Sequence, residues 1–274
     1  MSVKNKINSI NLWLKKNTSI DTHILSIKKF ETGQSNPTFL LKSDNKSFVL
    51  RSKPLGNLLR GAHRIDREYK VMKALSNSLI PIPKMYGYCH DMDIIGTEFY
   101  VMEFLKGAHE FDPDLPNYTS EQRDKIYKHK IKILAELVKL DLKKIGLENF
   151  GKPYGYLERQ IKLWIKQYRD SETKNIKSME YLIDNIPKYI PTEIDNLKPC
   201  LLHGDFRLDN MILEKNKSIP KIIGLLDWEL STISPPFIDL SYWVLMLKFE
   251  KKWPIGGLSI TDNQKFYSGI PTEE

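Results

Sequence analysis

Two short apolar runs constrain this chain more than any other feature. Leu201-Leu202 breaks off into His203-Gly204-Asp205 and, after four intervening residues, Asn210. Ile222-Ile223-Gly224-Leu225-Leu226 breaks off into Asp227-Trp228-Glu229. Uninterrupted apolar runs bounded by turn residues read as buried strands. A core gains nothing from carboxylates and an amide at the ends of such strands. The segment therefore reads as a hairpin delivering hard oxygen ligands to one place, as a divalent cation and a phosphate require.

The rest of the chain is able to support such a site. Its 274 residues are 41% hydrophobic and 28% charged, which allows a sizeable core and excludes a disordered chain. The net charge of +8 favours an anionic partner. The positive charges are scattered, without the basic tract expected of a nucleic-acid binder. The two cysteines, Cys89 and Cys200, lack metal-ligand spacing and imply a reduced, cytoplasmic protein. Charges interrupt the N-terminal apolar residues, so no signal segment is expected. No run is long enough to span a bilayer, and no membrane partner is expected.

Taken in order, Val3 to Lys16 has helical spacing, with Ile7, Ile10, Leu12 and Leu14 as its apolar side. His23 to Phe30, Pro37 to Lys42 and Ser47 to Lys53 are rich in strand formers, and Ser43-Asp44-Asn45-Lys46 makes a turn. The link from Glu31 to Asn36 contains Gly33 and Ser35; it reads either as a phosphate-covering loop or as an ordinary hairpin loop. Arg51 shares strand parity with Val49, which makes it a phosphate clamp or a strand-end surface residue. Ala62 to Ser76 is helical, with Ile65, Tyr69, Met72 and Leu75 in its stripe. Glu68 lies beside that stripe, either pairing with a strand cation or facing solvent. Lys84 to Cys89 and Thr97 to Phe104 are two further strands.

Beyond this point the pattern is helical. Thr119 and Gln122 have capping-box spacing and open a helix to about Leu142. Tyr156 to Asp170, Ile176 to Ile186 and Phe237 to Lys248 are further helices. The shift in composition divides the chain into residues 1–103, a β-rich lobe, and 104–274, a mainly helical lobe.

HGDFRLDN followed by LLDWE resembles the aminoglycoside phosphotransferase and choline kinase group. GQSNPTFLL, FVLR, AHRIDREYKVMKAL, IGTEFYVMEF and GYLERQ look like the branch of phosphotransferase-like domains related to those fused to acyl-CoA dehydrogenases. The resemblance implies an α+β, protein-kinase-like fold of two lobes, with ATP and Mg²⁺ as cofactors; relatives carry further C-terminal helices, so the sequence is expected to be either truncated or open on that side of the helical lobe. It makes Asp205 the catalytic base, His203 its brace, and Asn210 and Asp227 the metal ligands. Arg51 and Glu68 would serve the phosphates, as would Gly33, Ser35 and Asn36 of the covering loop. The connector Glu103, Phe104 and Leu105, following Met102, would hold adenine through its backbone. Arg207, Tyr156 and Arg159 are the substrate candidates. The alternative for Tyr156 and Trp164 is a place in the core, and for Arg159 the surface. Asp209 and Asp239 would brace loop or helix ends.

The implied activity is transfer of the ATP γ-phosphate to a hydroxyl of a small, acidic metabolite, a hydroxy acid or hydroxyacyl-CoA. An aminoglycoside or choline-type kinase and a catalytically inactive nucleotide-binding module are the alternatives. A homodimer is compatible with each.

Overall fold

The computed structural model describes residues 3–31, 36–56, 63–191, 193–250, 257–258 and 268–271. Helix α1 (Ile7–Asn17) follows one 3₁₀ turn and leads into strands β1 (Ser26–Lys29), β2 (Thr38–Lys42) and β3 (Ser47–Ser52). Helix α2 (Ile65–Ala74) is inserted before β4 (Met85–Cys89) and β5 (Phe99–Glu103). These strands form one antiparallel sheet in the order β1-β2-β3-β5-β4.

Alternation along β3 and β5 explains why the sheet is covered on both sides. Phe48, Leu50, Phe99 and Val101 point to one core, and Val49, Tyr100 and Met102 to the other. The first core is closed by α1 through Ile10, Trp13 and Leu14; the Trp13 and Phe99 rings meet edge to face at 4.9 Å. The helix turns Trp13 inward and leaves Leu12 72% exposed, contrary to its expected place on the apolar side. The reason is angular: Trp13 stands three positions after Ile10 and shares its face, whereas Leu12 stands only two after it.

The second core continues into the helical part. There the chain forms β6 (Gly107–His109), α3 (Ser120–Lys139), α4 (Tyr156–Ser171) and α5 (Lys177–Asn185). The remaining elements are β7 (Cys200–Leu202), β8 (Met211–Glu214), β9 (Ile222–Leu225), β10 (Thr232–Ser234) and α6 (Ile238–Met246). The capping box at Thr119 forms, with both reciprocal bonds to Gln122 present. Small sheets β6-β8-β9 and β10-β7 hold the two apolar runs against α3. Helix α2 is tied to this part by Arg67, which donates to the Phe150 carbonyl at 2.9 Å and lies 3.9 Å above the Phe150 ring. Both cysteines are free and buried. Among the described residues no helix is long and apolar enough to cross a membrane.

Candidate active site

The turn after β7 is built by close approach. Gly204 has φ +89°, and a Cβ there would stand 2.7 Å from the Leu230 carbonyl oxygen. Only glycine meets both conditions without displacing the backbone. His203 is completely buried, with its ring 4.5 Å from that of Trp228. Its Nδ1 accepts from the Asp205 N–H at 3.2 Å, which leaves Nε2 to donate to the Leu226 carbonyl at 2.9 Å. Burial holds its pKa below the usual imidazole value, so the ring is neutral. Beneath the turn, the Asp239 carboxylate accepts from the N–H groups of His203 at 2.7 Å and Gly204 at 3.0 Å. Burial pushes the Asp239 carboxyl up, against the opposing pull of His203 and the two N–H bonds.

Asp205 is fixed by its neighbour across the loop. The Asn210 side-chain nitrogen donates to the Asp205 carbonyl at 2.9 Å and to its carboxylate at 2.8 Å. The Asn210 amide oxygen is left without a hydrogen bond among the described residues. The Leu226 N–H donates to the Asn210 carbonyl at 2.8 Å and brings the second apolar run alongside. The next residue, Asp227, adopts φ +64°, a left-handed conformation unusual for a residue with a side chain. Such strain persists where surrounding structure imposes it, and it clusters at functional sites.

From the sheet, Arg51 reaches Asp227 and donates to it at 2.7 Å. Its Nε lies 3.0 Å from a Glu68 carboxylate oxygen, an ionic contact without hydrogen-bond alignment. Burial works against the Arg51 charge, but Glu68, Tyr100 and Asp227 outweigh it and hold the guanidinium pKa above its usual value. Burial pushes the Glu68 carboxyl up to about 7, with Arg51 opposing. Glu68 is 1% exposed, which settles its alternative in favour of the pair.

Arg51, Glu68, Asn210 and Asp227 line a cavity of about 360 Å³ between the large sheet and β8-β9. That volume suits a nucleotide-sized ligand. Glu103, Phe104 and Leu105 form another edge of it. The N–H groups of Phe104 and Leu105 make no hydrogen bond among the described residues, so donors stand ready at that edge.

Other expected residues are placed differently. Asn36 is 1% exposed and does not line the cavity; its amide donates to Glu229 at 3.2 Å and meets His63 at 3.1 Å. It straps the loop end to the segment after Asp227. Gly33 and Ser35 lie outside the described residues. The Arg207 guanidinium forks onto both oxygens of Asp209, with its Nε 2.9 Å from one of them. The same nitrogen lies 3.7 Å from Asp205. Tyr156 and Arg159 wall a groove beside Gly204. Arg159 donates to the carbonyls of Tyr154 and Lys152. Trp164 is 65% exposed, which rules out the core place weighed for it; Tyr156 is half-buried. Helix α4 buries none of its residues, so its aromatic residues have no core to join.

Two residues at the site escaped the sequence reading. Tyr100 stands opposite Arg51 in the β3–β5 register, against the Arg51–Glu68 pair. Tyr242 lines a recess together with Arg207, and burial and the Asp205 charge raise its hydroxyl pKa. Its position three residues after Asp239 on one helix face was the available signal.

An antiparallel sheet with one inserted helix, joined by a short connector to a mainly helical part carrying this hairpin, defines a kinase-like fold. The phosphotransferase enzyme family model matches residues 26–257, and the chain belongs to that family. A structure from Ralstonia eutropha JMP134, provisionally assigned as an aminoglycoside phosphotransferase, is 36% identical and superimposes with a TM-score of 0.85. That match covers 97% of this chain and 76% of the other. Acyl-CoA dehydrogenase family member 10 of mouse is 41% identical over 251 residues, which are 91% of this chain and 23% of the mouse protein. The streptomycin–ATP ternary complex of APH(2")-IIa aligns at a TM-score of 0.61 over 88% of this chain and 76% of that one. At 19% identity it shows the fold alone.

Proposed function

We propose that the chain transfers the γ-phosphoryl group of ATP to a hydroxyl of a small metabolite, a hydroxy acid or a hydroxyacyl-CoA. One observation carries this reading: Asn210, which lines the nucleotide-sized cavity, donates at 2.8 Å to the Asp205 carboxylate. A proton acceptor is thereby held at the border of a cavity sized for the phosphate donor. The acceptor oxygen bonds to phosphorus as the bond to the ADP oxygen breaks, and the hydroxyl proton passes to Asp205. General-base action of this kind contributes roughly 10²–10⁴-fold. His203, neutral and hydrogen-bonded at both nitrogens, holds the loop and does not exchange protons with substrate. Arg51 offers its guanidinium to the phosphates.

The donor set suits Mg²⁺, which binds one or two protein oxygens together with phosphate oxygens. Asn210 through its unused amide oxygen and Asp227 through its carboxylate would hold it. When bound, it would neutralise charge on the phosphates. A nucleoside triphosphate as donor is supported by membership of the phosphotransferase enzyme family. An acyl-bearing acceptor is supported by the name of the mouse relative, though the chain spans less than a quarter of that protein.

The test is a screen of hydroxy acids and their CoA thioesters with ATP and Mg²⁺. Turnover of at least one is expected. Asp205→Ala should lower its rate by roughly 10²–10⁴-fold and leave the ATP-dependent rise in melting temperature intact. Wild-type turnover in that variant would overturn the assignment.

A further inference from the structure

A smaller recess adjoins the nucleotide-sized cavity and shares Phe111 and Asp209 with it. Its walls come from Tyr127 and Lys130 of α3, Phe206 and Arg207 of the catalytic loop, and Tyr242 and Trp243 of α6. Lys130 is 2% exposed. Its ammonium lies 5.3 Å from the Trp243 ring, 5.5 Å from Phe206 and 5.8 Å from Tyr127. It makes no hydrogen bond or ion pair among the described residues. The nearby carboxylates are already engaged, Asp209 by Arg207 and Asp239 by the N–H groups of His203 and Gly204.

Buried polar groups are ordinarily satisfied, and an unpaired ammonium is the most costly to leave alone. An unpaired ammonium in the wall of a recess therefore points to a ligand that brings oxygen. The recess holds about 40 Å³, where one water needs about 10–15 Å³ on the same measure, so a carboxylate-sized group fits. Arg207, on its wall, has its Nε 3.7 Å from the Asp205 carboxylate. The recess thus opens beside the group that receives the acceptor's proton.

We propose that this recess receives the acyl oxygens of the acceptor, with Lys130 as their donor. A free carboxylate and a thioester carbonyl share that chemistry. The inference rests on the phosphotransfer reading above and adds to it the residues that recognise the acceptor's acyl end. Lys130 is a binding residue here and takes no part in proton transfer.

Lys130→Met keeps the length and apolar packing of the side chain and removes its charge. It should raise KM for a hydroxy acid on the order of 10- to 100-fold, the worth of one charge-assisted hydrogen bond. KM for ATP, and for a diol of the same length without acyl oxygens, should not change. The thioester should show a smaller rise than the free acid, because its carbonyl carries no net charge. Equal effects on acid and diol, or none, would overturn the proposal.

A second arm needs no turnover. Acetate titrated without nucleotide should raise the melting temperature of the wild type and leave that of Lys130→Met unmoved; identical shifts would sink the recess as an acyl-oxygen site. If no acceptor is phosphorylated, the phosphotransfer reading fails by itself, and the acetate arm still decides the recess.

Discussion

Arg51 donates to Asp227 at 2.7 Å across the space between the large sheet and the β8-β9 hairpin. The same guanidinium meets Glu68 at 3.0 Å. One strand cation thus neutralises two carboxylates that belong to different parts of the chain, α2 and the turn after β9.

Removing that cation alone should be severe. Arg51→Met leaves the Glu68 carboxylate, 1% exposed, without its counter-charge. Breaking a buried pair in this way costs about 3–5 kcal/mol. Arg51→Met with Glu68→Gln removes both charges and should cost less than the arginine change alone. Chemical denaturation of the two single variants and the double variant measures this. Additive losses would show that the pair does not act as a unit.

The Glu68 carboxyl also sets a pH dependence. Its folded pKa of about 7 lies above the ordinary value of 4.5. Between those values the native state binds more protons than the unfolded chain, so stability falls as pH rises from about 4.5 to about 7. Glu68→Gln should flatten the curve in that window. An unchanged slope by denaturant titration at several pH values would assign it to other groups.

How far the sequence disclosed these residues depended on the kind of signal each one carried. The strands were legible because their segments are rich in strand formers, and burial of both faces, with Phe48, Leu50, Phe99 and Val101 in one core and Val49, Tyr100 and Met102 in the other, is what that composition serves. The Arg51–Glu68 pair was legible as an open choice, because parity and helical spacing place both on inward faces. The backbone role expected of Asn36 left its side chain unread, and that side chain is taken up by Glu229 and His63 from distant parts of the chain. No local pattern encodes such partners. Lys130 did carry a local signal. It stands four residues after Ile126 and four before Leu134, within the buried stripe of α3. A lysine in that register marks a buried charge, but the aromatic rings around it include Phe206 and Trp243 from far along the chain.

Asp239 should act on the active site through the backbone. Asp239→Ala orphans the N–H groups of His203 and Gly204, each a loss of about 1–3 kcal/mol where the group is buried. The turn that carries Asp205 would relax, so turnover should fall while KM for ATP is kept. Asp239→Asn retains an acceptor oxygen and should recover part of the stability. A variant with full activity and reduced stability would confine Asp239 to the scaffold.

Lys130 should trade stability against recognition. Burial pulls its ammonium down to about 7 from the ordinary 10.5. Asp209 and Asp239 favour the charge and Arg207 opposes it, but desolvation prevails. Between those two values the native state binds fewer protons than the unfolded chain, so this group raises stability as pH increases. Below about 7 the buried charge is present in full and its destabilisation is greatest. Lys130→Met should therefore be more stable than the wild type, with a margin largest near pH 6 and vanishing towards pH 10. Denaturant midpoints across that range, measured without acceptor or acetate, test the sign. A lysine that only fills space would give a variant that is no less active. A lysine kept for an acyl oxygen gives a variant that is more stable and binds the acceptor more weakly. A less stable Lys130→Met would mean that the ammonium is satisfied within the fold.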